Sequence, residues 1–263
     1  MDTLRAQWNE GRDTLGVWLA NPSTITAEMA ARVGYDYVCI DNQHGVNDYQ
    51  QTVAMAQAIL LGGGTPIARV PWNEPGIIGK MLDGGIEGII VPMVNSAAEA
   101  EAVVRAGRYV PVGARSFGPV VAGMRRANHY EWSTDGIALI PMIETVEAIA
   151  NIDEILAVPG IDAIYVGPAD LSITLGLKPG NNDGDAKFDD ALATIVAACR
   201  NTGVVPGIHA TAALIERRLE QGFRMITVTS DMLAMKISLT ADLATARGAR
   251  PAEAKSEIGR AHV

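Results

Sequence analysis

Two carboxylates, Glu144 and Asp170, each stand just past a short apolar run and just before a stretch of helical period. Two acids brought to one point with no lysine between them invite a hard divalent cation. Mg2+ or Mn2+, keeping several waters and a substrate chelated through two oxygens, would suit them. Either acid alone is as well explained by the dipole of the helix it precedes, where negative charge is favoured; the matched offset of the pair is what favours a metal. Arg69 ends the run TPIARV. Its head must reach the mouth of whatever the strands enclose, because an apolar interior cannot hold an unpaired charge. There it would suit an anionic keto acid or a developing enolate. A salt bridge to an acid such as Asp41 fits equally well on spacing alone.

His44, in DNQHG, is the histidine that stands beside an acid cluster at the end of an apolar run. An imidazole there suits proton transfer near neutrality. Asp83 could orient one of its ring nitrogens, although MLDGG reads equally as the closing turn of a helix. His129 and His209 have weaker contexts and read as structural. In VGARSFGP, Arg115 and Ser116 could hold a substrate carboxylate, or Arg115 could simply tie that loop down. The segment GPAD sets the backbone of Gly167, Pro168, Ala169 and Asp170 at a helix start, a ready carboxylate site. A Schiff-base route to a pyruvate enamine would need a lysine at a strand end. Lys80, Lys178, Lys187, Lys236 and Lys255 all lie elsewhere, so position favours the metal route.

These residues are positioned by an alternation that runs from end to end. Short β-branched runs at 14–20, 35–41, 66–70, 88–92, 137–142, 162–166, 204–208 and 225–229 alternate with helical periods at 24–32, 48–61, 74–83, 96–106, 145–157, 188–201, 211–221 and 231–246. Strand–helix alternation argues a parallel sheet with helices outside it, and eight strands close a (β/α)8 TIM barrel. The other α/β architecture, an open doubly wound sheet, usually has a Gly-rich first turn; here that turn is Ala20-Asn21-Pro22-Ser23. Ser23, Asn47, Ser96 and Ser230 stand at cap positions. Two longer stretches, 110–135 and 177–186, read as irregular; the second, KPGNNDGD, reads as polar turn material.

The 263 residues are 48% hydrophobic and 19% charged, which suits one large core and a single barrel domain over 1–263. A net charge of −9 opposes nucleic-acid and anionic-membrane partners. Cys39 and Cys199, each inside an apolar run, read as small core residues and suggest a reducing cytoplasm. No apolar stretch reaches the roughly eighteen residues that cross a bilayer.

The blocks DNQHG, ARVPWNEP, KMLDGGIEGIIVPMVNSAAEAE, GARSFGP, PMIETVEAIANIDEIL and VGPADLS occur in order. Through them the chain, from about 8 to 246, resembles the HpcH/HpaI aldolases, metal-dependent class II pyruvate aldolases that include 4-hydroxy-2-oxoheptanedioate and 2-keto-3-deoxy sugar-acid aldolases. The resemblance implies a divalent metal (Mg2+, Mn2+ or Co2+) on Glu144 and Asp170, chelated by the ketone and carboxylate of pyruvate. It further implies Arg69 on the enolate, and His44, made more basic by Asp83, as the base acting on the aldol hydroxyl or a metal-bound water. The backbone at Gly167, Ala169 and Asp170 would hold the pyruvate carboxylate. A hexamer, a trimer of dimers whose final helix packs on a neighbour's barrel, is implied as well. Two positions depart from the pattern. Gln43 stands where an acid precedes the histidine, and Met142 stands where a glutamine precedes the metal glutamate. The pyruvate half is kept and the aldehyde contacts change; a subgroup with QH and MIET is similar and implies acceptance of hydroxypyruvate and a loose range of aldehydes. Two rival readings remain: an acyl-CoA thioester lyase of the same superfamily, which should show a basic patch for the CoA phosphates, and a non-catalytic ligand-binding barrel, which should have lost Arg69, Glu144 or Asp170.

Overall fold

Each apolar run pairs in parallel with its neighbours to give the expected (β/α)8 barrel, which the computed structural model describes over residues 2–248. The strands are β1 Thr14–Leu19, β2 Tyr37–Asp41, β3 Pro66–Arg69, β4 Gly88–Val91, β5 Ala138–Pro141, β6 Ala163–Val166, β7 Val205–His209 and β8 Met225–Ser230. Their order is β5-β4-β3-β2-β1-β8-β7-β6. The ring closes between β5 and β6 through a Met142–Tyr165 bridge, where the Ile143 amide donates to the Tyr165 carbonyl at 2.9 Å.

Side chains alternate across the strands, so odd and even positions go to different cores. Val17, Leu19, Val38, Ile40, Ile164 and Val166 pack outward against the helices. Trp18, Tyr37, Cys39, Ile67, Ile90, Ala138, Ile140, Met142, Ala163, Tyr165, Val205 and Met225 fill the barrel interior. The helix Leu4–Asn9, which the sequence reading missed, joins the interior cluster through Leu4 and Trp8, and the Trp8 indole donates to Thr14 Oγ1 at 3.0 Å. Space for two interior tyrosines comes from glycines. A Cβ on Gly16 would lie 2.0 Å from the Tyr37 ring, and one on Gly207 would lie 2.9 Å from that of Tyr165.

Helices Thr24–Val33, Tyr49–Leu61, Pro75–Asp83, Ala97–Gly107, Ala186–Thr202 and Asp231–Gly248 fall where the periodicity puts them, within the usual looseness of helix ends. Ser23, Ser96 and Ser230 accept hydrogen bonds from the amides of Thr26, Glu99 and Leu233 as caps. Asn47 does not. Asp48 caps that helix, while Asn47 donates to the carbonyls of Leu19, Ala20 and Asp41 and ties the ends of β1 and β2 together. The expected helix 145–157 is two, Val146–Ala150 and Ile152–Leu156, broken at Asn151, whose side chain donates to the Asn95 carbonyl. The element at 211–221 opens with a 3-10 turn, Ala212–Leu214, before Ile215–Gln221. The stretch 110–135 is not irregular throughout. It holds the helices Val120–Arg125 and His129–Gly136, the first too short to show a period. Both cysteines are buried and free. No helix among the described residues is long and apolar enough to cross a membrane.

Candidate active site

The inward rows of the strands end at one mouth of the barrel, around a pocket of about 260 Å3. Of the residues singled out in the sequence, the pocket gathers His44, Arg69, Met142, Glu144, Gly167, Pro168, Ala169 and Asp170. Asp83 and Ser116 are placed elsewhere in the chain. Asp83 closes the helix Pro75–Asp83 and pairs with Arg115 at 2.6 Å, and with Ser116 both line a separate surface pocket. Arg115 is buried against the Tyr109 ring, so it ties its loop down rather than reaching the mouth.

Arg69 takes up both roles that spacing left open. It makes a two-pronged ion pair with Asp41, from Nε at 2.8 Å and Nη2 at 2.6 Å, and also lines the pocket, with its guanidinium 5.1 Å from the Trp18 ring centroid. Nη1 has no protein acceptor among the described residues. Burial alone would raise the Asp41 carboxyl, but the hydrogen bonds and charge of Arg69 outweigh it and hold the group below the usual carboxylate range. The same carboxylate accepts from the amides of Gln43 and His44, so Asp41 fixes the cation and also the loop that presents His44.

Glu144 is only 2% exposed. Its Oε1 accepts from the Met93 amide at 2.8 Å. Met93 holds φ at +55°, a left-handed conformation uncommon for a side-chain-bearing residue, which commonly marks a site held by its surroundings. Oε2 is buried with no hydrogen-bond partner. Burial, and then the neighbouring charge of Asp170, push the carboxyl up to about 7, against the opposing pull of Met93 and Arg69. A Cβ on Gly167 would lie 2.2 Å from Oε2, so only glycine leaves that oxygen its space. Next to Gly167 starts the helix Pro168–Thr174, whose first-turn amides have no intrahelical acceptor.

Trp18, Tyr165, Gly180, Asn181 and His209 also line the pocket, and sequence reasoning missed all five. His209, which the sequence context assigns to the scaffold, borders the pocket. It ends β7 on the inward row of Val205 and Gly207, and that two-residue period was the signal available for it and for Trp18 and Tyr165. Gly180 and Asn181 come from KPGNNDGD, which is therefore part of the mouth. Fully buried Arg218 pins that loop, donating to both Asp183 carboxylate oxygens at 2.7 and 2.8 Å and to Asn181 at 2.8 Å. Arg218→Ala should cost on the order of 2 kcal/mol, because it breaks the fully buried half of the Asp183 pairing and leaves that acid only the part-exposed Arg217 at 3.0 Å, and should raise KM more than it lowers kcat. Denaturant unfolding and steady-state kinetics would check both. Among the described residues no lysine lines the mouth pocket; Lys255 lies outside them.

The family model described as HpcH/HpaI aldolase/citrate lyase matches residues 14–236. The chain belongs to the HpcH/HpaI aldolase/citrate lyase family. It is 40% identical over 249 residues to a hydroxypyruvate/pyruvate aldolase of Rhizorhabdus wittichii, covering 94% of this chain and 99% of that one. To a 4-hydroxy-2-oxo-heptane-1,7-dioate aldolase of Escherichia coli it is 35% identical, with 88% and 89% covered. The crystal structure of an HpcH/HpaI aldolase/citrate lyase family protein from Burkholderia cenocepacia superposes with a TM-score of 0.86 at 29% identity, over 93% of this chain and 98% of that one. As a family member the protein is a carbon–carbon lyase of the class II aldolase type.

Proposed function

We propose that this HpcH/HpaI family member cleaves 4-hydroxy-2-oxo acids reversibly to pyruvate, or hydroxypyruvate, and an aldehyde, with a divalent cation held by Glu144 and Asp170. The observation that carries the reading is the orphaned Oε2 of Glu144, a wholly buried carboxylate oxygen facing no donor, beside Gly167 and the charge of Asp170. A buried charge without a partner is costly, and a cation would remove that cost. Among the described residues no cluster of three or more His, Cys, Asp or Glu forms. Two carboxylates leave most of the coordination to water and substrate, which suits Mg2+, Mn2+ or Co2+ better than a closed structural site.

When bound, the cation supplies Lewis-acid polarisation of the substrate's 2-oxo group. The chain supplies the rest. The C3–C4 bond breaks and its electron pair moves toward the 2-oxo oxygen, where Arg69, fixed by Asp41, meets the developing negative charge. His44 takes the proton from the C4 hydroxyl as that carbon becomes the aldehyde, and returns a proton to C3. The amides after Gly167, with Pro168 shaping the turn, hold the carboxylate. Asp83 meets Arg115 and not His44 within one chain, so a role for it at a mouth would come from a second copy. The helix Asp231–Gly248, exposed along its length except at Asp231 and carrying Met232, Met235, Ile237, Leu239 and Leu243 outward, is the surface a copy would cover in a homo-oligomer.

The test is pyruvate release from a panel of 4-hydroxy-2-oxo acids by EDTA-stripped protein, before and after adding Mg2+, Mn2+ or Co2+. Release should return only with metal. Cleavage of acyl-CoA thioesters in its place, or no cleavage with any metal, would overturn the reading.

A further inference from the structure

His209 is a pocket residue that the scheme above leaves without a task. Its ring stands edge-on to Trp18, with centroids 5.1 Å apart, and its Nδ1 lies 3.5 Å from the Tyr165 hydroxyl. Behind it the row continues inside the barrel. Tyr165 Oη is 2.5 Å from Thr227 Oγ1, which is 3.1 Å from Tyr37 Oη, and all three residues are fully buried.

Counting protons assigns a direction to this row. Each hydroxyl has one proton to donate. If Tyr37 donates to Thr227, Thr227 to Tyr165 and Tyr165 to Nδ1, every proton is used. Run the other way, the Tyr37 proton could fall only on the Tyr165 hydroxyl, which would then have to accept twice, from Tyr37 and from Nδ1–H, and a phenolic oxygen accepts one hydrogen bond well but a second poorly. The first direction makes Nδ1 the acceptor and leaves the proton on Nε2. Nε2 has no protein partner among the described residues, on a ring that borders the pocket. Burial, with Arg69 nearby, pulls the imidazole down to about 4, so it is neutral at physiological pH.

The order of strands decides which part of the substrate it meets. Arg69, Glu144 and Asp170 stand on or after β3, β5 and β6, and the pyruvate half belongs to that charged arc. His209 ends β7 and Trp18 lies on β1, in the arc between Asp170 and the His44 loop that follows β2; Asp231, the acid after β8 in that arc, is turned to the amides of Ala20 and Asn21, so no charged side chain lines the pocket there. On the β5 side Met142 offers no hydrogen bond. The geometry points to His209 as a specificity-determining donor: its Nε2–H hydrogen-bonds an oxygen on the aldehyde half, so that aldehydes with a hydroxyl beside the carbonyl are selected over their alkyl equivalents.

This rests on the aldolase reading, and the two fail separately. The probes are glycolaldehyde and propionaldehyde, nearly equal in size, each added to pyruvate by metal-loaded enzyme. The quantity read is the ratio of their kcat/KM values. In His209→Leu the ratio should fall about tenfold, the size expected for losing one neutral hydrogen bond. His209→Gln, which keeps a donor near Nε2, should recover part of it. Tyr165→Phe, which loosens Nδ1 without touching the ring, should lower the ratio in the same direction by less. An equal fall for both aldehydes in His209→Leu, or an unchanged ratio in both His209→Leu and Tyr165→Phe, would overturn the inference. Absence of metal-dependent proton exchange at the pyruvate methyl in the unsubstituted protein would instead defeat the aldolase reading.

Discussion

Glu144→Gln should lower aldol cleavage by about a thousandfold or more while leaving the metal-free protein as stable as before, or more so. The substitution keeps the volume of a buried side chain and removes a carboxylate whose Oε2 has no partner and whose charged form burial disfavours. What is lost is the anchor of the cation. Metal present at a hundred times its Kd stabilises a binding protein by about 2.7 kcal/mol, roughly 5–10 °C in Tm for a chain of this size. The unsubstituted protein should show that shift and Glu144→Gln should not. Asp170→Ala should lose activity and shift alike, since the remaining carboxylate cannot replace the pair. Thermal scans with and without Mg2+ or Mn2+, beside kcat/KM, separate loss of metal from loss of fold.

Arg69→Met should be damaging twice, through stability and through chemistry. Asp41 and Arg69 are 5% and 11% exposed, and removing one partner of so buried a pair leaves the other uncompensated, at a cost on the order of 3 kcal/mol. Asp41 also holds the amides of Gln43 and His44, and its protonation on losing Arg69 would weaken that loop. The loss in kcat should reach a hundredfold to a thousandfold, the usual scale for removing one preorganised group from a developing oxyanion. Arg69→Met combined with Asp41→Asn separates the effects. Removing both charges while the Asn side-chain oxygen can still accept from the amides of Gln43 and His44 should return most of the stability without returning activity. A double variant that regains activity would place Arg69 in the scaffold alone.

The barrel was legible because the sequence states it eight times over: each strand is a short β-branched run and each long helix carries a clear period. The charged part of the site was legible for a related reason. Arg69, Glu144 and Asp170 break apolar patterns at their ends; each alone has a structural explanation, a helix dipole or an ion pair, and it is their matched placement at one end of the barrel that singles them out. Trp18 and Tyr165 break nothing; they read as core, and only their inward parity, counted to the last residue of β1 and β6, sets them under the mouth. His209, at the end of the seventh run, read as structural because no acid stands beside it in the sequence to mark it as His44 is marked. Asn181 was hidden because polar turn residues look alike until a buried partner, Arg218, is found 37 positions away. The same distance problem hides Arg115, whose pairing with Asp83 depends on how a long loop returns to the helix Pro75–Asp83.

The most direct test of the central claim follows the methyl protons of pyruvate by NMR in D2O, with no aldehyde present. Metal-loaded protein should exchange them for deuterium, EDTA-stripped protein should not until metal is restored, and Glu144→Gln should not under either condition. Exchange at an unchanged rate in stripped protein or in Glu144→Gln would contradict enolisation at a metal held by Glu144 and Asp170.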